Sequence, residues 1–426
     1  MMRQASQTAP SINRFRSGTE FKWPLVQMGD VVTLHYGKGL TEGSRRPGPV
    51  PVYGTNGRTG WHDTALASGP TVILGRKGMG NLGVEWCEGP FWVIDTAYYT
   101  SFREDVVPRF FYYFANYVGL NHLKDGTSNP SLTRETFSRQ WFPLPPIHEQ
   151  QRIASLCAAL DDKVELNRQT SETLEAMAHT VFKSWFVDFD PVLAKVEGRD
   201  PCGINAQTAA LFPSSFQDSS LGKIPKGWGV GTLNDLVQLS HDTLSPREYA
   251  NEVFDHYSIP AFDTGRWPTE EAGIQIKSNK AVVPLDAILL SKLNPRFPRV
   301  WMPLVGGPRR SIASTEFLIL TSKAPMSREY VFCLFNSQTF LDIFESLVTG
   351  TSGSHQRVKP EFLLAMQAVV APLQVIDSFT QLVVPMLAKS SVNLRQSRTL
   401  SSLRDTLLPK LISGELRLKE PAKVLS

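Results

Sequence analysis

The segment that decides the fold is residues 147–185, IHEQQRIASLCAALDDKVELNRQTSETLEAMAHTVFKSW, which contains neither glycine nor proline. Apolar residues recur in it at spacings of three and four, which is typical of a helix with one apolar face. A continuous helix of this length would span about 60 Å, whereas globular helices usually have about 8 to 20 residues. The pattern therefore predicts a long helix that packs along a second one.

A second segment without glycine, residues 373–411, repeats the first at an offset of 226 positions. The polar interruptions coincide, because Lys163 aligns with Lys389 and Asn167 with Asn393. These matches favour a paired seam of fixed register over two unrelated core helices. Written as heptads, the predicted seam consists of Ile153, Leu156, Leu160, Asn167, Leu174, Met177 and Val181 in the first segment and Phe379, Leu382, Met386, Asn393, Leu400, Leu403 and Leu407 in the second.

Two prolines, Pro385 and Pro409, lie within the second segment. Proline lacks the backbone N–H that an interior helical position donates, and its ring clashes with the preceding turn. We therefore expect the second helix to be kinked or divided at these residues.

The sequence upstream of each long helix also repeats, although loosely. Short β-rich runs separated by Gly and Pro, followed by a helix-like stretch, predict an α+β domain in each half. The repeated features are a tryptophan (Trp23, Trp228), a β-rich run (71–77, 287–292), a helix-like stretch (109–118, 327–336) and a Gly-Thr-Ser triplet (126–128, 350–352) with an apolar residue after it (Leu132, Val358).

The predicted fold is therefore α+β with a pseudo-twofold internal repeat. The stretch before the second domain is rich in Pro, Gly, Ser and Asp without periodicity, and we interpret it as a connector. The predicted segments are a flexible N-terminal tail (1–22), a first domain (23–145), a central long helix (146–187), the connector (188–226), a second domain (227–371), a distal long helix (372–416) and a C-terminal tail (417–426).

Composition excludes several classes of protein. A hydrophobic fraction of 42% in 426 residues is too high for a disordered chain. The four cysteines, Cys87, Cys157, Cys202 and Cys333, are far apart, which argues against a zinc cluster or a disulfide scaffold and favours the cytoplasm. No apolar run is long enough to span a membrane. The net charge of +4 is compatible with a polyanion partner but does not require one.

Motifs that suggest catalysis are incomplete. The loop 78–83 fits G-x-G-x-x-G, but residues 84–90 indicate a strand and a turn instead of the helix that a dinucleotide site needs. Residues 294–297, Asn-Pro-Arg-Phe, lack the second proline of the amino-methyltransferase loop, and the acidic run 188–190 is linker-like. We therefore expect no catalytic residue and no metal site.

Basic side chains are concentrated in the loops of the two domains, often beside Gly or Pro. Arginine there can bind phosphate oxygens or the edge of guanine, although each one alone could be an ordinary solvated charge. The candidate DNA-binding residues are Arg45, Arg46, Arg76, Lys77, Thr127 and Ser128 in the first domain and Lys292, Arg296, Arg299, Arg309, Arg310, Thr351, Ser352, Arg357 and Lys359 in the second, and Arg58 shares their loop setting.

Five stretches of the chain closely resemble the specificity subunits of type I restriction-modification enzymes. The first four resemble the central region of those subunits and the last their distal region. They are 143–153 (PLPPIHEQQRI), 185–191 (WFVDFDP), 210–213 (ALFP), 221–228 (LGKIPKGW) and 404–416 (RDTLLPKLISGEL). Pro409 belongs to the family's pattern, whereas the second helix begins Pro372-Leu373-Gln374 where the first has Glu149-Gln150.

The resemblance implies two target recognition domains, each reading one half of a bipartite, asymmetric double-stranded DNA site. Two long antiparallel coiled-coil helices would hold them apart as a spacer ruler. It further implies two methyltransferase subunits docked around the helices and restriction or translocase subunits in the full complex. S-adenosylmethionine would bind the methyltransferase partner, and this chain would bind no cofactor.

Two alternatives from other classes remain open. The chain could be a DNA adenine methyltransferase or a nuclease that acts alone, in which case it would modify DNA without a partner. It could also be a coiled-coil scaffold without a role at DNA, in which case it would bind no specific sequence.

Overall fold

A computed structural model of the chain describes residues 21–349 and 356–418. The chain forms two compact units. The first contains the described residues up to Leu166 and from Gln396 onward, and the second contains Asn167–Arg395. Each unit combines helices and sheets with part of both long helices, so the predicted α+β class is confirmed.

The two long helices span Ile147–Phe186, 40 residues, and Leu373–Ser413, 41 residues. The expectation that Pro385 and Pro409 would divide the second helix is wrong, because a single helix runs through both. Neighbouring side chains such as Leu387 and Leu408 are buried on each side, and this packing outweighs the hydrogen bond that each proline removes. No helix within the described ranges is both long and apolar enough to cross a membrane.

The helices run antiparallel. In the second unit Asn393 donates from Nδ2 to the carbonyl of Asn167 at 3.5 Å, and Phe182 packs edge-on against Phe379 at 5.6 Å. In these contacts, higher residue numbers in the first helix are matched with lower residue numbers in the second, as an antiparallel pair requires. In the first unit Asp161 forms an ion pair with Arg404.

The buried face of the helix pair differs in part from the predicted seam. Asn167 and Asn393 are buried as expected, at 2% and 1% exposure, but Met177, Leu382 and Leu403 are 47%, 38% and 45% exposed. For these three the prediction is wrong. In the heptad assignment, the second seam residue of each repeat is placed three residues after position a. On a helix of 3.6 residues per turn, the residue four positions after a lies nearer to the face of a than the residue three positions after it. That row holds the buried Cys157, Ala178, Val383, Ser390 and Leu411.

The other predicted seam residues are buried or partly buried. Ile153 and Phe379 are buried at 1% and 0% exposure. The remainder are partly buried, namely Leu156, Leu160, Leu174, Val181, Met386, Leu400 and Leu407.

The first domain is built on two four-stranded sheets. The central sheet is antiparallel, and its strands lie in the order Val32–Tyr36, Ala97–Phe102, Thr71–Gly75, Val84–Cys87. The outer sheet contains one parallel pair, Val50–Gly54 with Pro90–Val93, and its order is Gly57–His62, Val50–Gly54, Pro90–Val93, Ala67–Ser68. Two further pairs are Leu25–Gln27 with Trp141–Pro143 and the ribbon Lys124–Asp125 with Ser131–Leu132.

The second domain repeats this arrangement. Its central sheet has the order Val237–Leu239, Phe317–Ser322, Ile288–Ser291, Val300–Trp301. Its outer sheet has the order Thr243–Leu244, Lys280–Val282, Ser311–Ala313, Val253–Tyr257, Thr269–Ala272, again with one parallel pair, Val253–Tyr257 with Ser311–Ala313. The matching pairs are Gly229–Thr232 with Gln367–Val370 and the ribbon Val348–Thr349 with Arg357–Val358. The internal repeat thus extends to strand order and direction.

Short helices complete both domains. The predicted helical stretches form Pro108–Val118, with proline at its start, and Arg328–Phe335, which Ser327 caps by accepting from the amide of Tyr330. The remaining short helices are Met28–Val31, Glu42–Ser44, Asn121–Leu123 and Arg134–Ser138 in the first domain and Leu233–Leu236, Pro246–Tyr249, Ile259–Gly265, Gly273–Gln275, Gln338–Ser346 and Pro360–Leu364 in the second.

The connector is more than a linker. It contains the helices Asp190–Val196 and Ala206–Ala210 and a hairpin, Phe216–Ser219 with Gly222–Pro225. Val192, Phe212 and Ile224 are at most 2% exposed and join the core of the second unit. Its apolar residues have no period, so the sequence pattern did not indicate this packing.

The beginning and the end of the described chain meet in the first unit. The amide of Lys22 donates to the carbonyl of Ser413 at 2.8 Å, and Trp23 donates from Nε1 to Leu411 at 3.4 Å. Gly414 ends the second helix with φ +77°, and a Cβ there would lie 2.8 Å from Cε2 of Trp23. Only glycine allows both this turn and the contact with the indole.

Candidate nucleic-acid interface

In both domains one strand of the central sheet ends at basic residues beside a two-stranded ribbon. Arg76 and Lys77 follow Thr71–Gly75, and Lys77 bridges to Ser131 of the ribbon. In the second domain Lys292 follows Ile288–Ser291, and Leu293 bridges to Arg357. Leu132 and Val358, the apolar residues that repeat in the sequence, anchor the two ribbons at 0% and 1% exposure.

The Gly-Thr-Ser triplet of the first domain lies in the loop of its ribbon. Thr127 and Ser128 are exposed between Lys124–Asp125 and Ser131–Leu132, where their hydroxyl groups can reach a ligand. Thr351 and Ser352 lie outside the described residues.

A cluster of two arginines and one tyrosine dominates this part of the first domain. The Arg134 and Arg76 guanidinium groups lie 4.1 Å and 4.8 Å from the centre of the Tyr36 ring. Arg76 also donates to the carbonyl of Asp95 at 3.0 Å. Tyr36 remains 48% exposed, so the cluster offers two cations and an aromatic face to a ligand.

The edge strand Gly57–His62 presents a second cation with an aromatic ring. Arg58 lies 4.7 Å from the centre of the Trp61 ring, and Trp61 is 48% exposed. The predicted Arg45 instead donates from Nη1 to the carbonyl of Thr59 at 2.8 Å and thereby supports this strand.

Two predicted cations of the first domain are paired with carboxylates. Arg46 donates to both carboxylate oxygens of Asp63, at 2.7 and 3.1 Å, and these bonds lower the pKa of Asp63. Lys77 lies 2.8 Å from Asp95 and lowers the pKa of that carboxyl in the same way. A phosphate would have to compete with these partners.

In the second domain Arg309 and Arg310 tie neighbouring strands together. Arg309 pairs with Asp255 and Glu270, each at 2.7 Å. Arg310 donates to both oxygens of Glu252, at 2.6 and 2.5 Å, and lies 3.9 Å from the Tyr249 ring centre. Hydrogen bonding to Arg310 lowers the pKa of Glu252. Both guanidinium groups therefore have a structural role inside the domain.

Arg299 and Arg357 are held in the same manner. Arg299 donates to both oxygens of Asp263 at 2.7 and 2.9 Å, and Arg357 donates to both oxygens of Glu316 at 2.9 and 2.8 Å. These bonds lower the pKa of both carboxyl groups. Lys292 lies near Glu316 and contributes to the shift there.

The second domain also has cations that lie on aromatic rings. Arg296 lies 4.7 Å from the ring centre of Phe297, and Lys359 lies 5.8 Å from that of Phe362. Phe297 and Phe362 are 52% and 43% exposed.

Most of the predicted cations fall into two groups by their partners. Arg45, which donates to a backbone carbonyl, and Lys292, which lies near Glu316, belong to neither group, and Arg310 contacts both a carboxylate and a ring. Six form ion pairs with a carboxylate, namely Arg46, Lys77, Arg299, Arg309, Arg310 and Arg357. Arg58, Arg76, Arg296 and Lys359 lie on aromatic rings. The second group can turn toward phosphates or bases without leaving a carboxylate unpaired.

The sequence did not single out Arg134, Tyr36 or Trp61. Arg134 follows Thr133, which caps the short helix Arg134–Ser138 by accepting from the amide of Thr136. A capping threonine followed by a glutamate at Glu135 is a readable helix start, and it could have directed attention to Arg134. The exposure of Tyr36 and Trp61 follows from strand pairing, which composition does not specify.

The incomplete motifs have ordinary structural roles. The loop 78–83 leads to the strand Val84–Cys87, as predicted, and not to a helix. Residues 294–297 form a turn in which the amide of Phe297 donates to the carbonyl of Asn294 at 2.9 Å. Across the part of the chain that the structure describes, no group of three or more His, Cys, Asp or Glu side chains could hold a metal ion.

Two α+β domains of similar topology and an antiparallel pair of long helices define an internally duplicated protein, and guanidinium groups lie on aromatic rings in both domains. Residues 21–176 match the family model described as the type I restriction modification DNA specificity domain. Over these residues the chain carries a type I restriction modification DNA specificity domain, and over most of its length it is similar to type I restriction enzyme specificity subunits.

Two relatives and a solved structure are similar to the chain over most of its length. The MjaIX specificity subunit of Methanocaldococcus jannaschii is 26% identical over 335 residues, which are 75% of this chain and 71% of that protein. The HindI specificity subunit of Haemophilus influenzae is 24% identical over 335 residues, 67% of this chain and 71% of that protein. The crystal structure of the type I restriction-modification S subunit from M. genitalium shares the fold, with a TM-score of 0.58 at 15% identity, over 92% of this chain and 96% of that one.

Proposed function

We propose that the chain recognises a bipartite, asymmetric double-stranded DNA sequence, with each domain reading one half-site. The observation that carries this proposal is that guanidinium groups lie on exposed aromatic rings in both of the topologically similar domains, Arg76 and Arg134 on Tyr36 and Arg296 on Phe297. Such groups suit phosphate contacts, which provide affinity, and base edges, which provide specificity.

The chain acts in this proposal without chemistry of its own. Two methyltransferase subunits dock around the long helices, and restriction or translocase subunits join the full complex. S-adenosylmethionine is bound by the methyltransferase partner, and this chain binds no cofactor. Support comes from the names of the relatives, which are specificity subunits of restriction enzymes.

The long helices serve as the spacer between the two half-sites. Each is continuous over 40 or 41 residues, about 60 Å at 1.5 Å per residue, and the buried Asn167 and Asn393 limit sliding between them. The length of the non-specific DNA between half-sites would then follow from the length of the helices.

The test is reconstitution with partner methyltransferase subunits, followed by mapping of methylated bases on genomic DNA. We expect one bipartite motif, and no methylation by this chain alone with labelled S-adenosylmethionine. Label transfer without a partner would favour the stand-alone enzyme, and methylation without sequence preference would overturn the recognition role.

The same mapping tests the spacer. Inserting four residues after Asn167, with four at the matching position after Asn393, should lengthen the gap between unchanged half-sites. An unchanged gap in an assembled, active complex would contradict the ruler.

A further inference from the structure

Each domain holds one large apolar side chain in solvent at the tip of the same loop. The loop joins the adjacent central strands Thr71–Gly75 and Val84–Cys87 in the first domain, and Ile288–Ser291 and Val300–Trp301 in the second. Met79 in the first loop is 77% exposed and Phe297 in the second is 52% exposed. Both loops lie beside the ribbon of their domain, since Gly78 donates to Pro130 and Asn294 donates to Gln356.

The loop around Met79 is fixed on both sides. Lys124 donates from Nζ to the carbonyls of Gly78 and Gly80, at 3.2 and 2.9 Å. Asn121 accepts from the amide of Leu82 at 2.8 Å and donates to the side chain of Asn81 at 3.1 Å. Leu82 itself is 6% exposed, so the loop buries one apolar side chain and leaves Met79 outside.

The loop around Phe297 is fixed in an analogous way. Arg299, anchored on Asp263, donates from Nη1 to the carbonyl of Phe297 at 3.3 Å. Asn294 adopts φ 47°, a left-handed conformation that asparagine tolerates, and starts the turn. Pro295 is buried beneath the turn, and Phe297 projects beside the Arg296 guanidinium.

A cation thus binds the carbonyl oxygens of both loops and keeps an apolar side chain exposed. An apolar side chain left in water forgoes the favourable free energy of burial, which contact with a ligand can supply. A cation lies near each tip, namely Lys124 at the loop of Met79 and Arg296 beside Phe297. An apolar tip beside a cation fits a groove of DNA, where it can contact a thymine methyl group or the face of a base while the cation faces the phosphates.

We propose that Met79 and Phe297 determine sequence specificity, each by apolar contact with a base in the half-site of its own domain. This inference rests on the proposed function. It assigns base reading to these two tips and leaves Arg299 and Lys124 as residues that position the loops.

The experiment compares Met79→Ala and Phe297→Ala in the complex with its methyltransferase subunits, using methylation of a library randomised across both half-sites. Each variant should lose roughly five- to tenfold discrimination at one or two base positions, the cost of a mismatched pair, in one half-site only. Leu285→Ala and Ile274→Ala are matched controls, because these side chains are 69% and 65% exposed outside the two loops. Their preference should equal that of the unchanged chain.

The outcomes separate the two levels of the proposal. If the unchanged complex shows no sequence preference, the proposed function fails. If it is selective but both variants keep the full preference, or lose it equally in both half-sites, the assignment of Met79 and Phe297 is wrong. Met79→Leu and Phe297→Leu keep an apolar tip and should retain more discrimination than alanine, which a merely structural role would not produce.

Discussion

Equivalent positions along the two long helices carry opposite chemistry in the two units. In the first unit Asp161 pairs with Arg404 and accepts from the hydroxyl of Tyr113 at 2.7 Å. The 226-residue offset places Leu387 and Ala178 at the equivalent sites of the second unit, where they are buried at 2% and 0% exposure. The two halves therefore keep one backbone arrangement while one uses a charged contact and the other an apolar one.

This difference teaches that the repeat preserves geometry more strictly than it preserves contacts. A partly buried ion pair adds little net stability over apolar packing, but it cannot lose one partner without a large cost. The first unit is thus tolerant of paired replacement and intolerant of single replacement. The stability of the second unit depends instead on the volume of the apolar side chains at the equivalent sites.

The largest expected effect is at Leu387. Replacement by alanine should destabilise the second unit by about 2 to 5 kcal/mol, because it removes a buried side chain and leaves a cavity. Denaturant unfolding measures the loss, and the exposed Leu382→Ala on the same helix should change stability by less than about 0.5 kcal/mol. Equal losses for the two variants would restore the original seam assignment.

An intermediate effect is expected at the ion pair of the first unit. Asp161→Leu leaves Arg404 and the Tyr113 hydroxyl without this partner and should cost about 2 kcal/mol. Adding Arg404→Ala and Tyr113→Phe, which makes the site resemble the second unit, should recover most of that loss in thermal unfolding. A triple variant less stable than Asp161→Leu would show that the charged contact cannot be exchanged.

The smallest effect on stability is expected for single replacements of a cation, which we compare between the two domains. Arg134→Ala should leave stability unchanged, weaken DNA binding and reduce the salt slope of log K by about 1, because this exposed guanidinium lies on the Tyr36 ring. Arg310→Ala should instead destabilise the second domain by about 1 kcal/mol, since it leaves Glu252 unpaired. Titration of the assembled complex with DNA at several salt concentrations distinguishes them, and a reversed pattern would contradict the grouping.

The long helices and the central strands could be predicted from the sequence. The constant offset predicted both long helices, and the runs 71–77 and 287–292 contain the central strands Thr71–Gly75 and Ile288–Ser291. These elements were predictable because their signals are local: periodicity, proline and glycine positions, and β-branched runs.

The contacts of the candidate site were not predictable in the same way. The carboxylates that hold Arg309 come from residues 54 and 39 positions away, on other strands, and no local pattern pairs them. Met79 lies within the loop 78–83, which was considered from the sequence only as a dinucleotide site, and its exposure depends on the bonds that Lys124 and Asn121 make to this loop. Ion pairs between side chains on different strands can be predicted only when the order and register of those strands are known.

The hydrogen bond from Lys22 to Ser413 affects the order in which the two units unfold. The first unit joins the beginning and the end of the described chain, so the second unit is an internal loop whose two ends stay held while the first remains folded. Holding the ends of a loop lowers the entropy of its unfolded form. The folded first unit therefore stabilises the second unit by restraining its two ends. Unfolding of the first unit should make the second unit easier to unfold without altering any contact inside it.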